Sequence, residues 1–350
     1  MRLDLLLIHP GNRTAVYQEL GREMTAVETP LWCGMIATYA RDSGLSVGIL
    51  DAEAEDLTPQ EVAQRVKDDH PWLAAVVVYG HQPNASTQNM PMAGRICREI
   101  RDVSPGVKTL MLGGHVAALP ERTLFEEQCD FVARGEGFVT ATALAAALRD
   151  GGGLRNVQGL GQREGDGTIF APTPRTIENV PRVAYDLMPM HLYRAHNHHA
   201  MVVDVDRRTP YASVYTTLGC PEHCSFCPIQ APFKEGEAAA GLPARVNSYR
   251  MKDPEVVARE IDSLYHQWGI TTIRFSDEMF VLNPKHVRGV CDAPRRRPYV
   301  GDLNLWAYAR IDSVRPWMLE ALRAAGFRWL CYGIESASRK VLDDVKKGYD

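Results

Sequence analysis

The sequence predicts an α/β protein built from two parallel sheets in succession, and three observations predict it. Short apolar runs alternate with amphipathic stretches from the start of the chain to about residue 150. The same alternation resumes after residue 210. Most of the apolar runs end in glycine or polar residues, the composition expected where strand ends face a ligand. Strands that alternate with helices pair in parallel, because each crossover helix returns the chain to the same end of the sheet.

The first series of strands reads LDLLLIHP (3–10), SVGILDAE (46–53), LAAVVVYG (73–80), VKTLMLGGH (107–115) and CDFVARGEG (129–137). LWCGMIATYARDSG, TPQEVAQRVKDDH, PMAGRICREIRDV and TATALAAALRDG fill the gaps with helical periodicity. Thr58 and Glu61 have the spacing of a capping box at the second of these helices. Residues 1–150 are thus expected to form a Rossmann-like, doubly wound parallel sheet. Four strand ends share one character: His9–Pro10, Tyr79–Gln82, Gly113–His115 and Arg134–Gly137. Glycine there lets a large ligand approach the backbone, so these ends point to a cofactor site. No G-x-G-x-x-G follows the first strand and no Walker lysine motif occurs, which argues against a nicotinamide or P-loop nucleotide site.

The Gly-Asp-Gly within LGQREGDGTIFAPTP (160–174) signals a hairpin. A stretch bearing proline and histidine follows, NVPRVAYDLMPMHLYRAHNHHAM (179–201). Residues 151–210 therefore read as a hairpin and a linker laid across a domain interface. His196, His198 and His199 suit packing or a substrate cleft better than metal ligation, since no second metal-type motif accompanies them.

The second series of strands reads YASVYTTLG (211–219), ITTIRFSDEMF (270–280), LNLWAYARID (303–312) and RWLCYGIES (328–336). MKDPEVVAREIDSLYHQW, NPKHVRGVCD and VRPWMLEALRAAG supply the intervening helices. Residues 211–350 are expected to form a partial (β/α) TIM-like barrel, with polar residues at the carboxyl ends of its strands. A closed barrel needs more strands than these four, so the barrel is expected to be truncated at its C-terminal side.

The chain has 350 residues, 45% apolar and 23% charged, with a net charge of −4. That balance leaves no electrostatic footprint for nucleic acid or an anionic membrane. The apolar run before His9 is too short for a signal peptide or a membrane span, so a cytoplasmic location with reduced thiols is expected. Disulfides are then improbable partners for the eight cysteines. Cys33, Cys97 and Cys129 fall in apolar stripes or at a strand start and read as buried free thiols. Cys220, Cys224 and Cys227 are different: they form a C-x₃-C-x₂-C cluster directly after a strand that ends in glycine. A closed zinc site wants a fourth ligand, and the nearest spare donor is His223 inside the loop itself. Three thiolates on a 4Fe–4S cluster would leave one iron open to a small molecule.

TTLGCPEHCSFC resembles the C-x₃-C-x-Φ-C signature of the radical S-adenosylmethionine (SAM) superfamily, with Phe226 as the aromatic residue. RFSDEMF, WAYARID and YGIESAS follow in the order that resemblance leads one to expect. The preceding domain, with its GGH and RGEG turns, is similar to the cobalamin-binding domain of the cobalamin-dependent branch, whose methyltransferases are the nearest in character. The resemblance implies that Cys220, Cys224 and Cys227 hold a 4Fe–4S cluster and that SAM chelates the open iron. It puts Phe226 against adenine, Asp277 or Glu278 at the methionine amino group, Arg310 at its carboxylate, and Glu335 and Ser336 at the ribose. SDEMF lacks the glycines of the family's glycine-glycine-glutamate motif, which leaves Asp277 and Glu278 as alternatives. On the cobalamin side the resemblance implies contacts from Pro10, Tyr79, Gly80, His81, Gly113, Gly114, His115, Gly135 and Glu136. No D-x-H-x-x-G is present, so cobalt is expected to lack a histidine ligand below it, with Tyr79, His81 and Gln82 lining that face.

The implied chemistry joins a 5′-deoxyadenosyl radical to methyl transfer from cobalamin recharged by a second SAM. The expected activity is methylation of an unactivated carbon in a small molecule, such as a secondary metabolite, with an external one-electron reductant of the flavodoxin or ferredoxin type. A cyclase or ring-rearrangement enzyme with the same cofactors is the alternative. A transfer RNA methylthiotransferase and a zinc-bearing interaction module are weaker alternatives.

Overall fold

The computed structural model describes residues 2–11, 13–18, 20–21, 24–80, 82–196 and 208–349. The first sheet takes its five parallel strands from the predicted runs: β1 Leu5–His9, β2 Val47–Asp51, β3 Leu73–Val77, β4 Lys108–Leu112 and β5 Phe131–Ala133. Their order is β2-β1-β3-β4-β5, so the order reverses between β1 and β3. Strand alternation sends Leu5 and Leu7 to one face and Leu6 and Ile8 to the other, each into an apolar cluster. Helices Leu31–Asp42 and Phe138–Asp150 cover the first face. Helices Pro59–Asp69 and Ala85–Val103 cover the second. The capping box at Thr58 is formed in both directions: its hydroxyl accepts from Glu61 N at 3.3 Å, and the Glu61 carboxylate accepts from Thr58 N at 2.8 Å. Helix Ala85–Val103 starts six residues before Pro91, which sits inside it rather than at its first turn.

The hairpin is present, as β6 Leu160–Glu164 and β7 Gly167–Phe170. It belongs to the first sheet rather than to a linker, because β6 pairs antiparallel with β5, Gly161 opposite Val132. Residues 180–195 then run between the two sheets with Val183, Tyr185, Met190 and Tyr193 buried. Tyr193 Oη donates to Asp51 Oδ2 of the first sheet at 2.8 Å, and Tyr185 Oη donates to Ser213 O of the second at 2.7 Å.

The second sheet contains β8 Tyr211–Val214, then, after a small antiparallel ribbon of β9 Thr217–Leu218 and β10 Arg250–Met251, β11 Thr272–Phe275, β12 Asn304–Arg310 and β13 Phe327–Gly333. The four long strands are parallel in the order β13-β12-β11-β8. Helices Pro254–Trp268, Pro284–Arg295 and Pro316–Ala324 follow the strands in the β/α pattern. One continuous apolar cluster contains Leu5 and Leu73 of the first sheet together with Tyr211 and Ile273 of the second. The carboxyl ends of the two sheets face a common interdomain cavity. No described helix is long and apolar enough to cross a membrane.

Candidate functional site

At the first sheet the strand ends are held by backbone and small side chains. Gly113 has φ of 142°, and a Cβ there would lie 2.2 Å from Val78 O, so only glycine lets β4 leave the sheet beside β3. Ser86 Oγ donates to Val78 O and accepts from His115 N at 2.9 Å. His115 Nδ1 lies 3.1 Å from Thr87 Oγ1, and burial lowers its pKa, with the Arg122 charge adding to the effect. Pro10, Tyr79 and Gly80 line the cavity between the sheets, and Gly80 and Gly114 also border a smaller pocket beside the cysteine loop. His81 lies outside the described residues, as do His198 and His199; His196 lines the cavity.

Two of the residues expected to contact cobalamin also make interactions within the protein. Tyr79 stacks flat on Trp32, ring centroids 3.7 Å apart, and its Oη donates to Glu136 O at 3.2 Å. Its phenol oxygen is thereby turned to the β5 loop, and what it offers a ligand is ring surface. The Glu136 carboxylate is engaged by Arg250 at 2.6 Å and by Ile177 N at 2.9 Å. It ties the first sheet to β10 of the second, because a carboxylate buried this deeply needs a counter-charge. Gly135 beside it adopts φ of 77°.

The cysteine loop begins at Gly219, where φ is 89° and a Cβ would sit 2.4 Å from Ser248 O. Cys220 is buried, while Cys224 and Cys227 are partly exposed. The loop is pinned from several sides. Gln230 Nε2 donates to Cys220 O, Asn247 Nδ2 to Glu222 O at 2.7 Å, and Ser225 N to Val345 O at 3.0 Å. Burial pushes the Cys220 thiol up to about 12 and also raises Cys227. A group that binds three thiolates here must therefore bring positive charge of its own, as the irons of a cluster do. Among the described residues no three His, Cys, Asp or Glu side chains converge on a position for a single metal ion. The donor set, three soft thiols on one half-buried and backbone-anchored loop, fits an iron–sulfur cluster.

Asp277 and Glu278 part ways at the end of β11. Asp277 is fully buried, and its Oδ1 accepts from Thr216 N and Oγ1, both at 2.9 Å, and from Thr217 N and Oγ1, the latter at 2.6 Å. That oxygen is committed to the strand leading into the cysteine loop, while Oδ2 is buried with no hydrogen-bond partner among the described residues. Glu278 lines the small pocket with Leu218, Gly219 and Pro228, and burial pushes its carboxyl up to about 8. Arg310 is buried and pairs with Glu222 of the cysteine loop at 3.0 Å and with Asp312 at 2.7 Å. Glu335, with φ of 63°, pairs with Lys347 at 2.7 Å, and Ser336 Oγ accepts from Ser338 N at 3.0 Å. The Phe226 ring is exposed, with Lys347 Nζ 5.9 Å from its centre.

The interdomain cavity measures about 260 Å³ and has features that sequence reasoning missed. Glu28 reaches from the first domain into the mouth of the second sheet. It accepts from Arg274 Nη1, Tyr211 Oη and Ser213 Oγ, each at 2.7 Å. Arg274 lies over the rings of Trp306 and Tyr308, about 5 Å from each centre. No local motif marks Glu28, because its partners lie some two hundred residues away in the chain.

Residues 20–145 match the B12 binding domain family, and residues 214–350 match the radical SAM superfamily. The chain thus carries a B12-binding domain followed by a radical SAM domain. It is 28% identical to an uncharacterized methyltransferase of Pyrococcus horikoshii, over 99% of this chain and 68% of that protein. It is 27% identical to the anaerobic magnesium-protoporphyrin IX monomethyl ester cyclase of Synechocystis sp., over 99% of this chain and 64% of the cyclase. The fold superposes on the radical SAM methyltransferase TsrM from Kitasatospora setae, solved with cobalamin and a [4Fe-4S] cluster, with a TM-score of 0.71 and 19% identity. That superposition covers 100% of this chain and 62% of TsrM. The chain therefore spans about two thirds of the length of these relatives.

Proposed function

We propose that the protein is a cobalamin-dependent radical SAM methyltransferase acting on an unactivated carbon of a small molecule. The observation that carries this reading is the shared cavity: the carboxyl ends of two parallel sheets open into it, with the cysteine loop at a pocket alongside. A cluster held by Cys220, Cys224 and Cys227 with SAM supplies a carbon-centred radical, and cobalamin supplies a transferable methyl group.

The chain's own residues do the positioning. Gly80 and Gly114 border the pocket where a corrin would lie, with the Trp32–Tyr79 stack as a wall. Glu278 would accept the methionine ammonium, and Arg310, fastened to the cysteine loop through Glu222, would pair with its carboxylate. Phe226 offers a ring face to adenine, and Glu335 and Ser336 lie at the strand end assigned to the ribose. Aromatic walls at Trp306, Tyr308 and Tyr215 keep water from the reacting carbon. An external low-potential protein of the flavodoxin or ferredoxin class would deliver the electron.

Anaerobic reconstitution with iron, sulfide and hydroxocobalamin, followed by mass spectrometry, tests this. Formation of 5′-deoxyadenosine and S-adenosylhomocysteine in comparable amounts is expected. Deoxyadenosine alone would move the protein to the cyclase and rearrangement class, for which the likeness to the Synechocystis cyclase is the specific support.

A further inference from the structure

Asp277 is an unusual residue to find beside the cysteine loop, because its side chain is fully buried and lines neither of the two pockets described above. It is fully buried, and one oxygen takes four donors from two consecutive residues, Thr216 and Thr217. Those two residues lead directly into the Gly219 turn and Cys220. The Thr216 hydroxyl has a single proton, which it gives to Asp277. His286 Nε2, 3.0 Å from Thr216 Oγ1, is then the donor in that contact, so its ring carries a proton on Nε2. A line of hydrogen bonds thus runs from the helix after β11, through the strand before the cysteines, back to the end of β11. Lys252 N, donating to Thr216 O at 2.7 Å, holds the same residue from the β10 side.

The neighbour of Asp277 is Glu278, which lines the pocket shared with Gly219 and Pro228. One residue therefore connects the clamp on the cysteine strand to the carboxylate that faces the pocket. Resting on the function proposed above, we propose that Asp277 is a positioning residue: it fixes the separation between the cysteine loop and Glu278, so that one amino-acid headgroup reaches the open iron and Glu278 together. A mere staple of the fold would leave that separation set by the rest of the sheet.

The test uses the full chain after anaerobic cluster reconstitution, with SAM binding measured by equilibrium dialysis and the reduced cluster followed by electron paramagnetic resonance. Asp277→Ala is expected to keep near wild-type iron per chain, to bind SAM about tenfold more weakly, and to lose the spectral change on SAM addition. Asp277→Asn retains an oxygen acceptor and is expected to stay within about threefold of wild type, with the spectral change preserved. Wild-type affinity in Asp277→Ala, or an Asn variant as weak as the Ala variant, would overturn the proposal. If Asp277→Ala does not fold, Thr217→Val removes one donor and keeps the branched shape. Weakened SAM binding at full iron content is then expected, and unchanged binding overturns the proposal. Failure of the wild-type protein to bind SAM would instead sink the proposed function.

Discussion

The strand ends of the two sheets meet at one cavity yet are built on opposite plans. The first sheet ends in Pro10, Gly80 and Gly113, where small residues let the backbone pack closely, Gly80 against Ala85 and Gly113 against Val78. The second ends in Asp277, Glu278 and Arg310, each fixed by ion pairs, hydrogen bonds or burial. A broad, flat ligand is accommodated by removing side chains, whereas a small charged one is recognised by fixing them. The exception is instructive: Glu136, at a first-sheet strand end, spends its charge on Arg250 of the other domain.

The largest expected effect separates the two plans outright. Cys224→Ala should abolish deoxyadenosine formation and lower bound iron, while hydroxocobalamin still binds; loss of both cofactors together would break the contrast. Next is Gly113→Val, which forces a side chain against Val78 O in a backbone conformation closed to branched residues. A loss of at least about 3 kcal/mol in unfolding free energy is expected, and absorbance after gel filtration should show corrin binding lost with iron retained.

His286 gives a pH test confined to the charged plan. Burial lowers its pKa from 6.5 to about 4, so the folded state binds its proton less readily than the unfolded state. Its neutral form costs nothing above pH 6.5, and stability falls as pH drops from 6.5 towards 4, by up to about 3 kcal/mol. Asp277 and Glu278, whose pKa values are raised by burial, change in the opposite sense over their own ranges, so the measurement is a difference. His286→Gln keeps an N–H donor and should show a shallower loss than wild type in urea titrations across that window. The smallest effect belongs to Tyr79→Phe, which removes one hydrogen bond to Glu136 O and keeps the stack on Trp32. A cost of about 1 kcal/mol in chemical denaturation, with unchanged corrin affinity, is expected.

The strands were legible because alternation and length specify them locally; each of the nine predicted runs overlaps a strand of the structure. The capping box at Thr58 was legible for the same reason. The hairpin's turn was visible in Gly-Asp-Gly, but its allegiance was not, since pairing of Gly161 with Val132 is a long-range choice. The cysteine triad declared itself by spacing alone. Asp277 and Glu278 looked equivalent in sequence, and only the packing of β8 against β11 sends one inward and leaves the other at a pocket. Glu28 and Trp32 carried no motif, because their meaning comes from residues contributed by the other sheet.

The reach of Glu28 into the second sheet bears on how the protein can be taken apart. A fragment starting at residue 208 would keep Arg274, 2% exposed, but lose the carboxylate that compensates its charge. It would also strip apolar surface from the cluster common to both halves. Two units that are separable as text are thus interdependent as matter, and excising the cysteine-bearing half should yield an insoluble or molten polypeptide rather than a working module.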